Sequence, residues 1–171
     1  MSLNDILKLI IEAIIKAINP KPPTPTPQPT PPSSDFVTQL LTLHNNHRHT
    51  LGLGSLTLNQ AITNAAQKHS DWMFQNKTLS HFANGKGPGD RISAEGYRWV
   101  AYGENIASGY ATPQAVFQGW LNSSGHRANI ENPRFKDVGF GIAGKYWTAD
   151  FATKRGITAM SLPGGLIGED S

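Results

Sequence analysis

Near its C-terminal end the chain contains two short apolar runs on either side of a turn: Val138-Gly139-Phe140-Gly141-Ile142-Ala143 and Tyr146-Trp147-Thr148-Ala149-Asp150-Phe151-Ala152. Both runs are rich in β-branched and aromatic residues, which favour strands. Gly144 and Lys145 lie between them, in a position typical of a hairpin turn. The two runs therefore predict a pair of antiparallel strands.

Helical patterns come before this hairpin. Ser34-Asp35 is a plausible cap for a first helix that ends between residues 50 and 54, and a second helix is expected from Asn59 to about Gln75. A third helix should begin at Thr112-Pro113, because proline fits the first helical position. Residues 84–90 read as a loop and residues 97–106 as another strand. This order of elements predicts an α+β sandwich with an antiparallel sheet.

Composition excludes some classes of protein. The net charge of +3 in 171 residues is too small and too scattered to indicate a nucleic-acid partner. The chain has no cysteine, so neither disulfides nor thiolate metal ligands are available.

Residues 3–18 form an apolar segment with one narrow polar stripe of Asp5, Lys8, Glu12 and Lys16. A helix of this kind is expected to self-associate, or to bind a partner protein, a lipid or a membrane surface. It is short for a membrane span and lacks the basic start of a standard signal peptide. A remnant without function is the remaining alternative.

Prolines dominate residues 20–34, which predicts a polyproline II spacer with a reach on the order of 40 Å. The expected organisation is an isolated helix in 1–19, a Pro-rich linker in 20–34, one globular domain in 35–154 and a tail in 155–171.

Two histidines and a glutamate lie in three separate motifs: Leu79-Ser80-His81, Gly103-Glu104-Asn105-Ile106-Ala107 and, from Trp120 to Ile130, a segment containing Ser123-Ser124-Gly125-His126-Arg127-Ala128-Asn129. Imidazole and carboxylate groups are ligands for zinc, and they also act as general acids and bases.

Residues from about 37 to 152 resemble the CAP superfamily, named for cysteine-rich secretory proteins, antigen 5 and pathogenesis-related proteins and also called the SCP domain. The resemblance rests on the three motifs above together with others in the same order: Asn45-Asn46-His47-Arg48, Ala65-Ala66, His69, Trp72-Met73, Arg91, Gly96-Tyr97, Val138-Gly139-Phe140-Gly141 and Tyr146 to Phe151. The resemblance implies a three-layer α-β-α sandwich and an extracellular or envelope-associated protein.

It also implies a metal-binding cleft formed by His81, Glu104 and His126, with zinc as the expected ion and no cofactor obligatory. Where the family has a second acid this chain has Ser123, as is usual in the compact bacterial members that it resembles most. A serine hydroxyl is a neutral and poorer ligand, so we expect weak binding. In the alternative interpretation, the histidines only form hydrogen bonds across the cleft and Glu104 orients one of them.

Other candidates are weaker. Asn105, Trp99 and Arg127 could contact a ligand, although asparagines in such motifs commonly fix loops and Arg127 could pair with an acid. His44 and His47 are spaced to chelate a metal but are expected to be ordinary helix residues. His69, Trp72, Trp120 and Trp147 are expected in the core.

Three functions remain open on these residues: a non-enzymatic metal- or ligand-binding head, a metal-dependent or serine hydrolase acting on peptide or cell-envelope material, and a lipid or sterol carrier. For the hydrolase the catalytic candidates are Glu104, His81, His126 and, as nucleophile, Ser123. The chain has no G-x-S-x-G or H-E-x-x-H motif.

Overall fold

The computed structural model of this chain describes Lys8 and residues 34–156. Residues 34–156 form five helices and four strands, in the order α1 (Ser34–Thr50), β1 (Thr57–Leu58), α2 (Gln60–Asn76), α3 (Pro88–Ala94), β2 (Trp99–Ser108), α4 (Pro113–Asn122), α5 (Ser124–Ile130), β3 (Asp137–Ala143) and β4 (Tyr146–Lys154).

The four strands make one sheet in the order β1-β3-β4-β2. The predicted hairpin is present, because β3 and β4 pair antiparallel with Ala143 opposite Tyr146. Strand β2 pairs antiparallel with the other side of β4, whereas the two residues of β1 run parallel to β3. The second long strand, β2, therefore lies at an edge of the sheet.

One face of the sheet packs against α2 at very short range. A side chain at Gly141 would place its Cβ 2.3 Å from the carbonyl oxygen of Ala66, and one at Gly139 would lie 2.2 Å from the amide nitrogen of Thr63. Glycine is required at both positions because the helix backbone occupies the space of a side chain.

The opposite face carries the main apolar core. Phe140, Trp147 and Phe151 of the sheet pack with Leu40 of α1 and Trp120 of α4, and all five are at most 2% exposed. Burial of such large side chains is the dominant stabilising contribution. Helices therefore cover both faces, and the predicted three-layer α-β-α sandwich is confirmed.

Local capping signals gave the starts of α2 and α4 correctly. The Asn59 side chain accepts hydrogen bonds from Ala61 and Ile62 at the start of α2. Thr112 accepts one from Ala115, with Pro113 in the first turn of α4.

The predicted loop over residues 84–90 is wrong in its second half, because α3 begins at Pro88. Asp90 accepts a hydrogen bond from the backbone N–H of Gly87, which caps this helix. The strand predicted over 97–106 is shifted to 99–108, since Tyr97 donates its N–H back to Ile92 and so still belongs to the turn after α3. Helix α5 was not predicted.

The helix, linker and tail expected in residues 1–33 and 157–171 lie outside the described residues, apart from Lys8. Among the helices that the structure describes, none has the length and the apolar character needed to cross a bilayer.

Candidate functional site

The side chain of Glu104 lies at the centre of a polar cluster on β2, on the face that packs against α2. It is 2% exposed, so its two oxygens depend on protein partners. Oε1 accepts a hydrogen bond of 2.7 Å from Nδ1 of His81, and Oε2 forms an ion pair with the guanidinium of Arg91. Nε2 of His69, on α2, lies 3.8 Å from Oε2.

Arg91 joins this carboxylate to the segment that carries His81. Its Nη1 donates to the carbonyl oxygens of His81 at 2.9 Å and Lys86 at 3.1 Å. One buried guanidinium therefore compensates the charge of Glu104 and fixes the loop between α2 and α3.

His81 is held by one edge of its ring. Its side chain is 47% exposed, and the hydrogen bond to Glu104 raises its pKa above the ordinary 6.5 against the opposing effect of partial burial. With Nδ1 donating to the carboxylate, Nε2 is the nitrogen left for a ligand or a proton.

His126 is on α5, and hydrogen bonds between asparagines place it. Asn105 donates its amide to the carbonyl oxygen of His126 at 2.9 Å, and Asn129 donates to Oδ1 of Asn105 and to the backbone of Glu104. Burial lowers the pKa of His126, and the positive charge of His81 lowers it further.

Asp150 extends the cluster in a way the sequence analysis missed. It is the direct cross-strand partner of Glu104, is fully buried, and accepts no hydrogen bond from the described residues. Burial and the negative charge of Glu104 raise its pKa well above the usual range. A neutral Asp150 removes the repulsion between two buried carboxylates.

His69 and Arg91 were also missed as members of the site. His69 was expected in the core and is 1% exposed there, but it faces Glu104. Arg91 contributed only to the family resemblance. The sequence signal that could have identified such residues is a charged residue within an otherwise apolar segment, such as Asp150 between Ala149 and Phe151.

The weaker candidates have other surroundings. Asn105 is fully buried with its amide bonded to His126 and Asn129, which is the loop-fixing arrangement. Trp99 donates Nε1 to Gly89 and Ser93, so it anchors α3 to β2. Arg127 is exposed, and no described carboxylate pairs with it.

Ser123 lies between α4 and α5 and is half-buried. Its side chain does not cap α5, and no hydrogen bond joins it to a histidine of the described residues. The structure therefore shows no activated serine at this position.

Two of the histidines on α1, His44 and His47, have structural roles. His44 is buried among Phe117, Phe140 and Phe151, with Nδ1 donating to the carbonyl oxygen of Leu40, and burial lowers its pKa to about 4. His47 pairs instead with Glu131 at 2.9 Å.

The fit to a metal can be judged from these contacts. Within residues 34–156 and at Lys8, no three His, Asp or Glu side chains are arranged as a ligand set. Both oxygens of Glu104 are already bonded, which leaves the imidazoles of His81 and His126 as available donors. The chemistry of these donors fits a weak, open site for a borderline metal.

Comparison with known proteins identifies relatives of this domain. Residues 41–151 match the sequence profile described as "CAP: Cysteine-rich secretory protein family". The uncharacterized protein YkwD of Bacillus subtilis is 34% identical over 71% of this chain and 48% of its own length. The uncharacterized membrane protein YlbC of the same organism is 36% identical over 66% of this chain and 33% of its own length. The chain thus spans half or less of these relatives.

Two solved structures resemble the fold. An extracellular protein of Bacillus anthracis that contains an SCP domain is 35% identical, with a TM-score of 0.68 over 70% of this chain and 41% of that one. An outer surface protein of Borrelia burgdorferi is 20% identical, with a TM-score of 0.69 over 74% of this chain and 99% of that one, and this likeness concerns the fold alone.

Proposed function

The chain belongs to the cysteine-rich secretory protein (CAP) family, and we propose that its domain is an extracellular binding module that takes a divalent metal on His81 and His126. The hydrogen bond of 2.7 Å between Nδ1 of His81 and Glu104 carries this proposal. The extracellular setting is supported by the Bacillus anthracis relative, which is described as extracellular.

The bond matters because metal-binding histidines are normally held by a carboxylate on their second nitrogen. Such a carboxylate fixes the tautomer, orients the ring and makes the free nitrogen a better ligand. Glu104 has this position toward His81, and Arg91 in turn holds Glu104. In this proposal Glu104 orients the metal ligand His81 and does not itself bind the metal.

His126 supplies the second imidazole, and solvent completes the coordination. With two neutral ligands and Ser123 in place of an acid, affinity is modest and depends on pH, since a protonated imidazole cannot bind a metal. The bound ion supplies Lewis acidity or simply a structural link across the cleft.

Calorimetric titration of the protein with zinc tests the proposal. One saturable site is expected, lost in the His81→Ala/His126→Ala variant and retained in His49→Ala, a matched control at an exposed histidine of α1. Glu104→Gln should weaken zinc binding about 10- to 100-fold if the carboxylate acts through His81. Undiminished binding by the double variant would rule out the cleft as the metal site.

A hydrolase is the second candidate, favoured by the same pair of residues. A carboxylate on Nδ1 leaves Nε2 of His81 able to take a proton from water, which is the role of the histidine in acid–base catalysis. Activity should then rise with pH as His81 loses its proton, and persist in the presence of a chelator. Peptide and cell-wall substrates are the probes, and full activity in His81→Ala and His126→Ala would eliminate this candidate.

The N-terminal segment completes the proposal. Residues 3–18 self-associate or bind a partner, and the proline-rich residues 20–34 hold the domain away from that assembly. Sedimentation should give an oligomer for the full chain and a monomer for the chain starting at Ser34. Monomers in both cases would contradict self-association.

A further inference from the structure

A cavity lies between α2, α3 and the turn around residues 83–86. Its volume is about 290 Å³. Ala65, Ala83 and Ala94 form small apolar parts of its wall, and the indole of Trp72 forms a flat one. Ligand cavities begin at about this size, so the space suits one small ring and is too small for a lipid.

The mouth of this cavity is positively charged. Lys68 is paired with Glu95 at 2.6 Å, but no described carboxylate pairs with Lys86. Asn84 accepts a hydrogen bond from Nε1 of Trp72 through its side-chain oxygen, which leaves its amide N–H groups available. An ammonium and an amide at one rim are suitable donors for a carboxylate.

Two residues that line the cavity each have a buried polar atom without a partner. His69 donates from Nε2 to the carbonyl oxygen of Ser80, and its Nδ1 has no partner. Both terminal nitrogens of Arg91 form hydrogen bonds or ion pairs, whereas its Nε has no partner. His69 is 1% exposed and Arg91 9%, and both line the cavity.

One of these two atoms is a hydrogen-bond acceptor and the other is a donor. With its hydrogen on Nε2, the neutral imidazole of His69 offers Nδ1 as an acceptor, while Nε of Arg91 is a donor. A hydroxyl group satisfies both kinds of atom, because it donates one hydrogen and accepts at its lone pairs. Leaving both atoms unpaired is costly, which favours a ligand that brings hydroxyl groups.

We propose that this cavity binds a sugar acid, a single hydroxylated ring bearing a carboxylate. The carboxylate lies toward Lys86 and Asn84, the apolar face of the ring packs on Trp72, and a hydroxyl reaches His69 and Arg91. The ring of Trp72 is nearly parallel to that of His69, at an interplanar angle of 8°, which keeps the indole face in place.

Nuclear magnetic resonance titration of the full chain with D-glucuronate tests this site. The indole N–H signal of Trp72 should shift in a saturable manner. D-glucose, which lacks the carboxylate, and cyclohexanecarboxylate, which lacks the hydroxyls, should each bind about tenfold more weakly or not at all.

Lys86→Gln should weaken glucuronate binding by about tenfold, because it removes one charge-assisted bond at an exposed position. Lys145→Gln, at the exposed turn between β3 and β4, is the matched control and should leave binding unchanged.

The absence of a saturable shift up to the solubility limit of glucuronate would overturn the proposal. Equal binding of glucose, or unchanged affinity in Lys86→Gln, would overturn it as well. The His81→Ala/His126→Ala variant should still bind glucuronate, so failure of the metal site and failure of this cavity are distinguishable.

Discussion

Replacing Arg91 by methionine should destabilise the domain more than any single change at its surface. Arg91 is 9% exposed and its guanidinium contacts Glu104, whose side chain is 2% exposed. Methionine fills a similar space but leaves the buried carboxylate without the guanidinium that pairs with it. Breaking one partner of such a pair costs about 3–5 kcal/mol of unfolding free energy.

The loss has a second component. The two hydrogen bonds from Arg91 to the carbonyl oxygens of His81 and Lys86 also disappear, at 2.9 and 3.1 Å in the native protein. Each contributes about 1 kcal/mol or more when the donor is charged. The expected total is therefore near the upper end of the 3–5 kcal/mol range, with some overlap between the two components.

Urea unfolding at pH 7, followed by tryptophan fluorescence, measures this quantity. Arg134→Met, at an exposed arginine, is the control and should change stability by no more than about 0.5 kcal/mol. The Arg91→Met/Glu104→Gln double variant should recover part of the loss, since no buried charge is then left alone. A loss below about 1 kcal/mol in Arg91→Met would refute the argument that the ion pair is buried and coupled.

Three further predictions follow from packing and protonation. Gly141→Ala should cost about 1–3 kcal/mol or more in urea unfolding, because its Cβ meets the carbonyl oxygen of Ala66 at 2.3 Å, and Gly156→Ala, with open space around it, should cost little. Because the pKa of His44 is about 4 in the folded protein, only the unfolded chain protonates this histidine between pH 6.5 and 4, so the free energy of unfolding should fall as pH drops through this range. A free energy of unfolding that does not change over this range, and that His44→Phe does not alter, would contradict this. In a titration followed by nuclear magnetic resonance, the imidazole of His81 should have a pKa above 6.5 and that of His126 a pKa below it, and Glu104→Gln should lower the pKa of His81. The pair of His81 with Glu104 then stabilises the fold below pH 6.5, and this contribution is lost as pH rises through the His81 pKa. Identical midpoints for both histidines would argue against the bond.

Elements with strong local signals were predictable. Asn59 and the Thr112-Pro113 pair gave the starts of two helices, because caps and prolines act on the nearest turn of backbone. The hairpin of β3 and β4 was predictable for the same reason, since its turn and both strands are contiguous in the chain.

Short elements that depend on distant partners were not predictable. Helices α3 and α5 have seven residues each, too few to show a helical period. Trp99 holds α3 against β2 through hydrogen bonds to Gly89 and Ser93, and Asn105 holds α5 through the carbonyl of His126. These contacts form only in the assembled fold.

The sequence by itself determined the layered fold and identified His81, Glu104 and His126 as the residues to consider, because motif order and local propensities are contained in the chain. Only the tertiary structure decided that Glu104 supports His81, that Arg91 neutralises it, and that Asp150 lies beside it. Which side chains meet across β2 and β4 depends on strand register, and a shift of one residue would turn Glu104 to the other face of the sheet.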